Sequence, residues 1–98
     1  MTGKRPRILC LDDQAPNLAI RKLMLQQFGC DVTAVNDAQS CLVAATHESF
    51  DLALLDYHLG GGMTGEDVAN DLRVCAPNMV LVILTGDPMI AEIGRAHV

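Results

Sequence analysis

Each of three apolar runs in this chain ends in a side chain that can bind a metal or handle phosphate. Residues 8–11 run into Asp12 and Asp13, residues 52–55 into Asp56, and residues 79–84 into Thr85. If the runs are neighbouring parallel strands, three carboxylates and a hydroxyl share a small volume at one sheet edge. Ligands of open α/β sheets sit at the carboxyl ends of the strands, which is where these four residues fall.

Without a metal such a site is costly. Two unit charges about 4 Å apart repel by roughly 4 kcal/mol at an effective dielectric of about 20. A hard cation with oxygen ligands relieves the repulsion. Magnesium fits, because it accepts one or two carboxylates, keeps several waters and tolerates a phosphoryl oxygen. Asp56 can then act as a nucleophile on phosphorus, forming an acyl phosphate. The Thr85 hydroxyl can donate to a phosphoryl oxygen. Taken singly, an Asp-Asp pair, an Asp after a strand and a Thr at a strand end are ordinary turn and cap residues. Their joint placement after three successive apolar runs points to chemistry.

The elements that must position them alternate between short continuous apolar runs and helical periods, the pattern of a parallel sheet covered by helices. The first strand is expected over Arg7–Leu11 and the second over Asp31–Val35. The first helix is expected over 16–28, with Ile20, Leu23, Met24 and Phe28 on one face, Leu18 and Leu25 off it, and Gly29 as its stop. A second helix starts near Asn36 or Asp37 and buries Ala38, Cys41, Leu42 and Ala45. A third strand, 51–55, leads into glycines 60–62. Thr64 and Asp67 form a capping box for a helix with Val68, Leu72 and Cys75 inside. The fourth strand is 79–84, and Asp87-Pro88 reads as the cap and first turn of a fourth helix. Strands three and four lack polar alternation, so both are expected to be covered on both faces.

Composition narrows the function classes. The 98 residues suffice for one domain, and half are hydrophobic, with no Trp, one Tyr and two Phe. A net charge of −5 argues against gripping nucleic acid or an anionic membrane, and Lys4, Arg5 and Arg7 read as a solubilising end. Cys10, Cys30, Cys41 and Cys75 show no Cys-x-x-Cys spacing, which argues against zinc or thioredoxin chemistry and suits small buried hydrophobes in a reduced cytoplasm. No signal peptide or membrane-length apolar run is present.

The segments ILCLDDQAPN, LALLDYHLGGGMTGED and VLVILTGD, in this order, resemble the receiver domain of two-component response regulators. The resemblance covers nearly the whole chain as a single domain, 1–98. It implies a flavodoxin-like (CheY-like), doubly wound parallel sheet of order 2-1-3-4-5. It implies that Asp56 accepts phosphate from a sensor histidine kinase or histidine phosphotransfer protein. Magnesium would be held by Asp12, Asp13, Asp56 and the backbone carbonyl of His58, and Thr85 would turn toward the phosphoryl group.

The chain departs from that family in its last third. Receivers continue through a fifth strand, preceded by a lysine that pairs with the phosphoryl group, and a fifth helix. The only lysines here are Lys4 and Lys22, and neither can take that place. The sequence therefore predicts a fold incomplete at its C-terminus, either a fragment of a longer product or a natural short receiver that completes its sheet with a partner, with the fourth strand left as an apolar edge. Such an edge, or the segment 89–98, would pair with a second copy to make a homodimer. Tyr57-His58-Leu59 and the three glycines stand where many receivers carry Met-Pro, so the loop gains freedom. His58 reads as a loop residue and a poor general acid, which disfavours an aspartyl phosphatase. The rival to a phosphoacceptor is a phosphorylation-independent interaction and dimerisation module.

Overall fold

The computed structural model describes residues 4–85 and, as backbone, 91–95. Five strands form one sheet: β1 (Arg7–Leu11), β2 (Asp31–Val35), β3 (Leu52–Asp56), β4 (Val80–Leu84) and β5 (Ala91–Arg95). Three helices connect the first four: α1 (Ala15–Gln27), α2 (Ala38–His47) and α3 (Gly65–Cys75). The order across the sheet is β2-β1-β3-β4-β5, with β1 to β4 all parallel. This is the flavodoxin-like, doubly wound arrangement, and the order of the parallel strands reverses at β1 and β3.

The core follows the strand pleat. Leu9, Leu11, Ala53, Leu55, Leu81 and Ile83 point to one face, where Cys41 and Ala45 of α2 and Val68, Ala69 and Leu72 of α3 cover them. Ile8, Cys10 and Val32 point to the other face and meet Leu18 and Leu25 of α1. Asp37 caps α2 by accepting from the Ser40 backbone N–H at 2.7 Å, which holds its carboxyl below the usual carboxylate range. Arg7 is no mere solubilising end. It pairs with Asp31 and Glu48 and lies over the Phe50 ring, tying the start of β1 to its neighbours.

Four expectations are corrected. First, α1 is rotated about its axis: Leu18 and Leu25 face the sheet, while Ile20, Leu23, Met24 and Phe28 are all more than half exposed. The rotation is the one that lets Arg21 reach the buried Asp12 carboxylate; turning the apolar stripe inward would strand that charge. Second, among the described residues β3 and β4 are fully covered on one face and only partly on the other. Alternate residues are buried, but Leu52, Leu54, Val80, Val82 and Leu84 are half-buried, because α1 lies over β1 and β2. Third, Cys75 is exposed, and Ala69 fills the inner face of α3 instead.

The fourth concerns the open edge. β5 runs antiparallel to β4, pairing Ala91 with Leu84 and Arg95 with Val80. The β4 edge expected to be free for a second copy is thus paired within the chain, which satisfies its backbone groups. The expected cap at Asp87-Pro88 lies outside the described residues, but 91–95 is strand where helix was anticipated. A parallel fifth strand and a fifth helix are absent among the described residues.

Candidate functional site

The site forms where β1, β3 and β4 end. Asp12 follows β1, and its backbone N–H donates to the Val35 carbonyl at 3.3 Å, holding it against β2. Its side chain is almost wholly buried. One carboxylate oxygen accepts the Gln14 backbone N–H at 2.9 Å, and the other accepts Arg21 Nη1 at 2.9 Å. Asp13, the next residue, is exposed at the rim. Asp56 is the last residue of β3 and lies opposite Leu84 of β4. Thr85 follows Leu84 directly, so the backbone brings it to the same edge.

The loop after β3 is shaped by glycine. Gly60, Gly61 and Gly62 take φ of 74°, 61° and 81°, a region that side chains disfavour. A Cβ on Gly60 would sit 3.2 Å from Asp13 Oδ2, so this loop passes close over the rim carboxylate. His58 is exposed, bridges Thr64 in the loop and stacks edge-on against Tyr57 at 5.0 Å. The expected capping box forms: Thr64 Oγ1 accepts the Asp67 backbone N–H, and Asp67 accepts the Thr64 backbone N–H at 2.9 Å.

One oxygen from each of Asp12, Asp13 and Asp56 lies within 4.8 Å of the others. Burial pushes the Asp56 carboxyl above the ordinary carboxylate range, and the Asp12 charge adds to the rise. Arg21 opposes it, Asp13 adds a little, and His58 opposes again. A carboxylate that resists ionising because it is partly buried, and because other carboxylates lie beside it, is one whose charged form a divalent cation favours. The donor set is all oxygen and therefore suits a hard cation such as magnesium.

Two residues at this site were not singled out by the sequence. Arg21 carries the positive charge against Asp12. The available signal was its place between Leu18 and Leu25 at helical spacing, at offsets 0, 3 and 7. Gly65, at the first turn of α3, packs under the phosphoacceptor candidate: a Cβ there would lie 2.5 Å from the Asp56 carbonyl oxygen. Its N–H donates to the Tyr57 carbonyl at 2.7 Å. A glycine next to a helix cap, where glycine weakens the helix, was the clue.

The response regulator receiver domain model matches residues 8–97, covering almost the whole chain. The chain belongs to the response regulator receiver domain family. It is 33% identical to the Sensor protein GacS of Pseudomonas syringae pv. syringae, over 94% of this chain and 11% of that protein. It is 34% identical to the alginate biosynthesis transcriptional regulatory protein AlgB of Pseudomonas syringae pv. tomato, over 86% of this chain and 18% of that protein. This receiver thus spans a small part of such relatives. Among solved structures it resembles a CheY-like receiver domain from Methanospirillum hungatei JF-1, with a TM-score of 0.80 and 30% identity over 86% of this chain and 66% of that one. It also resembles the response regulator TrrA of Thermotoga maritima in complex with Mg(2+)-BeF, with a TM-score of 0.77 and 25% identity over 86% and 72%. A receiver is a signalling module of two-component systems. No described helix of this one is long and apolar enough to cross a membrane.

Proposed function

We propose that this receiver accepts a phosphoryl group on Asp56 from a phosphohistidine of a sensor histidine kinase or histidine phosphotransfer protein in the cytoplasm. The observation that carries the reading is the convergence of Asp12, Asp13 and Asp56 within 4.8 Å at the strand ends. Asp12, Asp13 and Asp56, with the His58 backbone carbonyl, are the residues that would hold Mg2+. When bound, the ion neutralises charge on the transferring group. An Asp56 carboxylate oxygen attacks phosphorus, the bond to the donor imidazole nitrogen breaks, and the imidazole is left to take up a proton. The product is an acyl phosphate. Thr85, at the adjoining strand end, donates its hydroxyl to a phosphoryl oxygen. That the similar TrrA structure is a complex with Mg(2+)-BeF supports the same chemistry here.

In this reading the domain catalyses only its own phosphorylation and dephosphorylation. Acetyl phosphate with Mg2+ is expected to add one phosphoryl group to the intact protein, and Asp56→Asn to abolish it. Labelling that survives Asp56→Asn would move the nucleophile elsewhere.

One observation favours a second reading, a phosphorylation-independent association module. Ile20, Leu23, Met24 and Phe28 are exposed on α1, beside a groove lined by Asn17, Ile20, Arg21, Met24, Leu54 and Leu84. Under that reading, light scattering at micromolar protein gives a dimer or larger species whose mass is unchanged by Asp56→Asn and little altered by salt. A clean monomer would remove this reading.

A further inference from the structure

Arg21 is an unusual neighbour for a cation site. It projects from α1 onto Asp12 with Nη1 2.9 Å from Oδ2, and the two side chains keep 26% and 2% of their exposure. The other Asp12 oxygen is already taken by the Gln14 backbone N–H. Both oxygens of the one fully buried acid in the cluster are therefore engaged by the protein itself. The guanidinium also acts on Asp56, whose proton affinity it lowers against the rise caused by burial and Asp12. It lies near the buried Cys10 thiol on the same side of the sheet, where burial pushes the thiol up and Arg21 pulls it down. One fixed positive charge is thus bonded to one of the three carboxylates that a divalent ion would need.

We propose that Arg21 is a resident counter-charge of the acid cluster, which stabilises the metal-free site and competes with the divalent cation for Asp12, so that Arg21 sets the metal affinity. This rests on the reading of Asp12, Asp13 and Asp56 as the Mg2+ site. With Arg21 in place the three ionised carboxylates and the guanidinium sum to a smaller negative charge, and the incoming cation meets a like charge already bonded to one ligand. For Asp12 to turn an oxygen to the metal, the ion pair must open or be shared. Arg21 is a positioning residue here: it acts through Asp12.

The test is Mg2+ titration by calorimetry, with melting curves, on the full chain and on Arg21→Met, Arg21→Gln and Arg21→Lys. Arg21→Met is expected to bind Mg2+ about tenfold more tightly, a modest part of the bare repulsion between a divalent ion and a guanidinium. Its metal-free melting temperature is expected to fall below that of the parent, and the two are expected to converge as Mg2+ saturates. Arg21→Lys, which keeps the charge, is expected to retain the parent's affinity. Arg21→Gln, neutral but still able to donate to Asp12, gives the same reading should Arg21→Met fail to fold. Equal or weaker Mg2+ binding in the neutral variants, with normal binding in the parent, would overturn the role of Arg21 alone. Absence of Mg2+ binding in every protein would overturn the metal site itself, and the role of Arg21 with it.

Discussion

A methyl group on Gly65 is expected to destabilise the domain by about 1–3 kcal/mol, the usual cost of forcing extra volume into a packed site. The added Cβ would lie 2.5 Å from the Asp56 carbonyl oxygen, 3.1 Å from its carbonyl carbon and 3.2 Å from Tyr57 Cα, all of them backbone atoms. Backbone cannot rotate away as a flexible side chain can, so either α3 lifts off or the end of β3 shifts. Both responses disturb the strand end that presents Asp56, and the Gly65 N–H bond to Tyr57 would stretch with them. Phosphoryl labelling of Gly65→Ala is expected to fall by about 100-fold, the scale of a misplacement near 1 Å. Urea unfolding and acetyl phosphate labelling check both halves. As a control, alanine at Val74, 83% exposed on α3, should change stability by about 0.5 kcal/mol or less. Normal stability and normal labelling in Gly65→Ala would show that the close approach is not what holds Asp56 in place.

Magnesium is expected to raise stability by about 2.7 kcal/mol at a free concentration of about one hundred times its Kd. For a domain of this size that corresponds to a rise in Tm of about 10–20 °C. The gain depends on pH in a definite direction. Burial and the Asp12 charge raise the folded-state pKa of Asp56, so the folded protein holds this proton more tightly than the unfolded chain does. In metal-free protein, stability from this group falls as pH rises from the unfolded carboxylate pKa through the raised folded one, then levels off. Magnesium selects the ionised carboxylates, so its stabilisation should be small in acid and largest at neutral pH. Asp56→Asn removes the titrating group. It should flatten the metal-free pH profile over that window and lift its neutral end relative to the parent. Melting curves across pH, with and without Mg2+, test this. A magnesium effect that does not grow as pH rises would contradict the role of carboxylate crowding.

The strand ends were the most legible part of the chain. Continuous apolar runs mark buried parallel strands whatever the tertiary detail. β1 and β2 fall where the runs predict, and β3 and β4 start one residue later than expected. The Thr64–Asp67 capping box and the Gly29 stop after α1 are local signals with local causes, and both are present. The rotation of α1 was not legible from periodicity. Two apolar stripes compete on that helix, and the weaker one, Leu18 with Leu25, faces the sheet alongside Arg21. A buried ion pair between residues nine apart in sequence, formed across a strand–helix junction, outweighs apolar count and leaves no period in the sequence. The return of 91–95 as an antiparallel strand was hidden for a related reason. Asp87-Pro88 is a strong local helix start, while the unpaired edge of β4 is a non-local demand for hydrogen bonds. Gly65 illustrates the same limit: the sequence shows a glycine beside a cap, and only the fold shows the Asp56 carbonyl beneath it.

The most direct measurement is the position of the acyl phosphate. After treatment with acetyl phosphate and Mg2+, borohydride reduction converts an aspartyl phosphate into homoserine, and peptide mass spectrometry locates it. A receiver that uses the Asp12, Asp13 and Asp56 cluster as its phosphorylation site predicts homoserine at position 56, absent when Mg2+ is chelated. Homoserine at Asp12, Asp13 or any other position, or equal yield without metal, would contradict it.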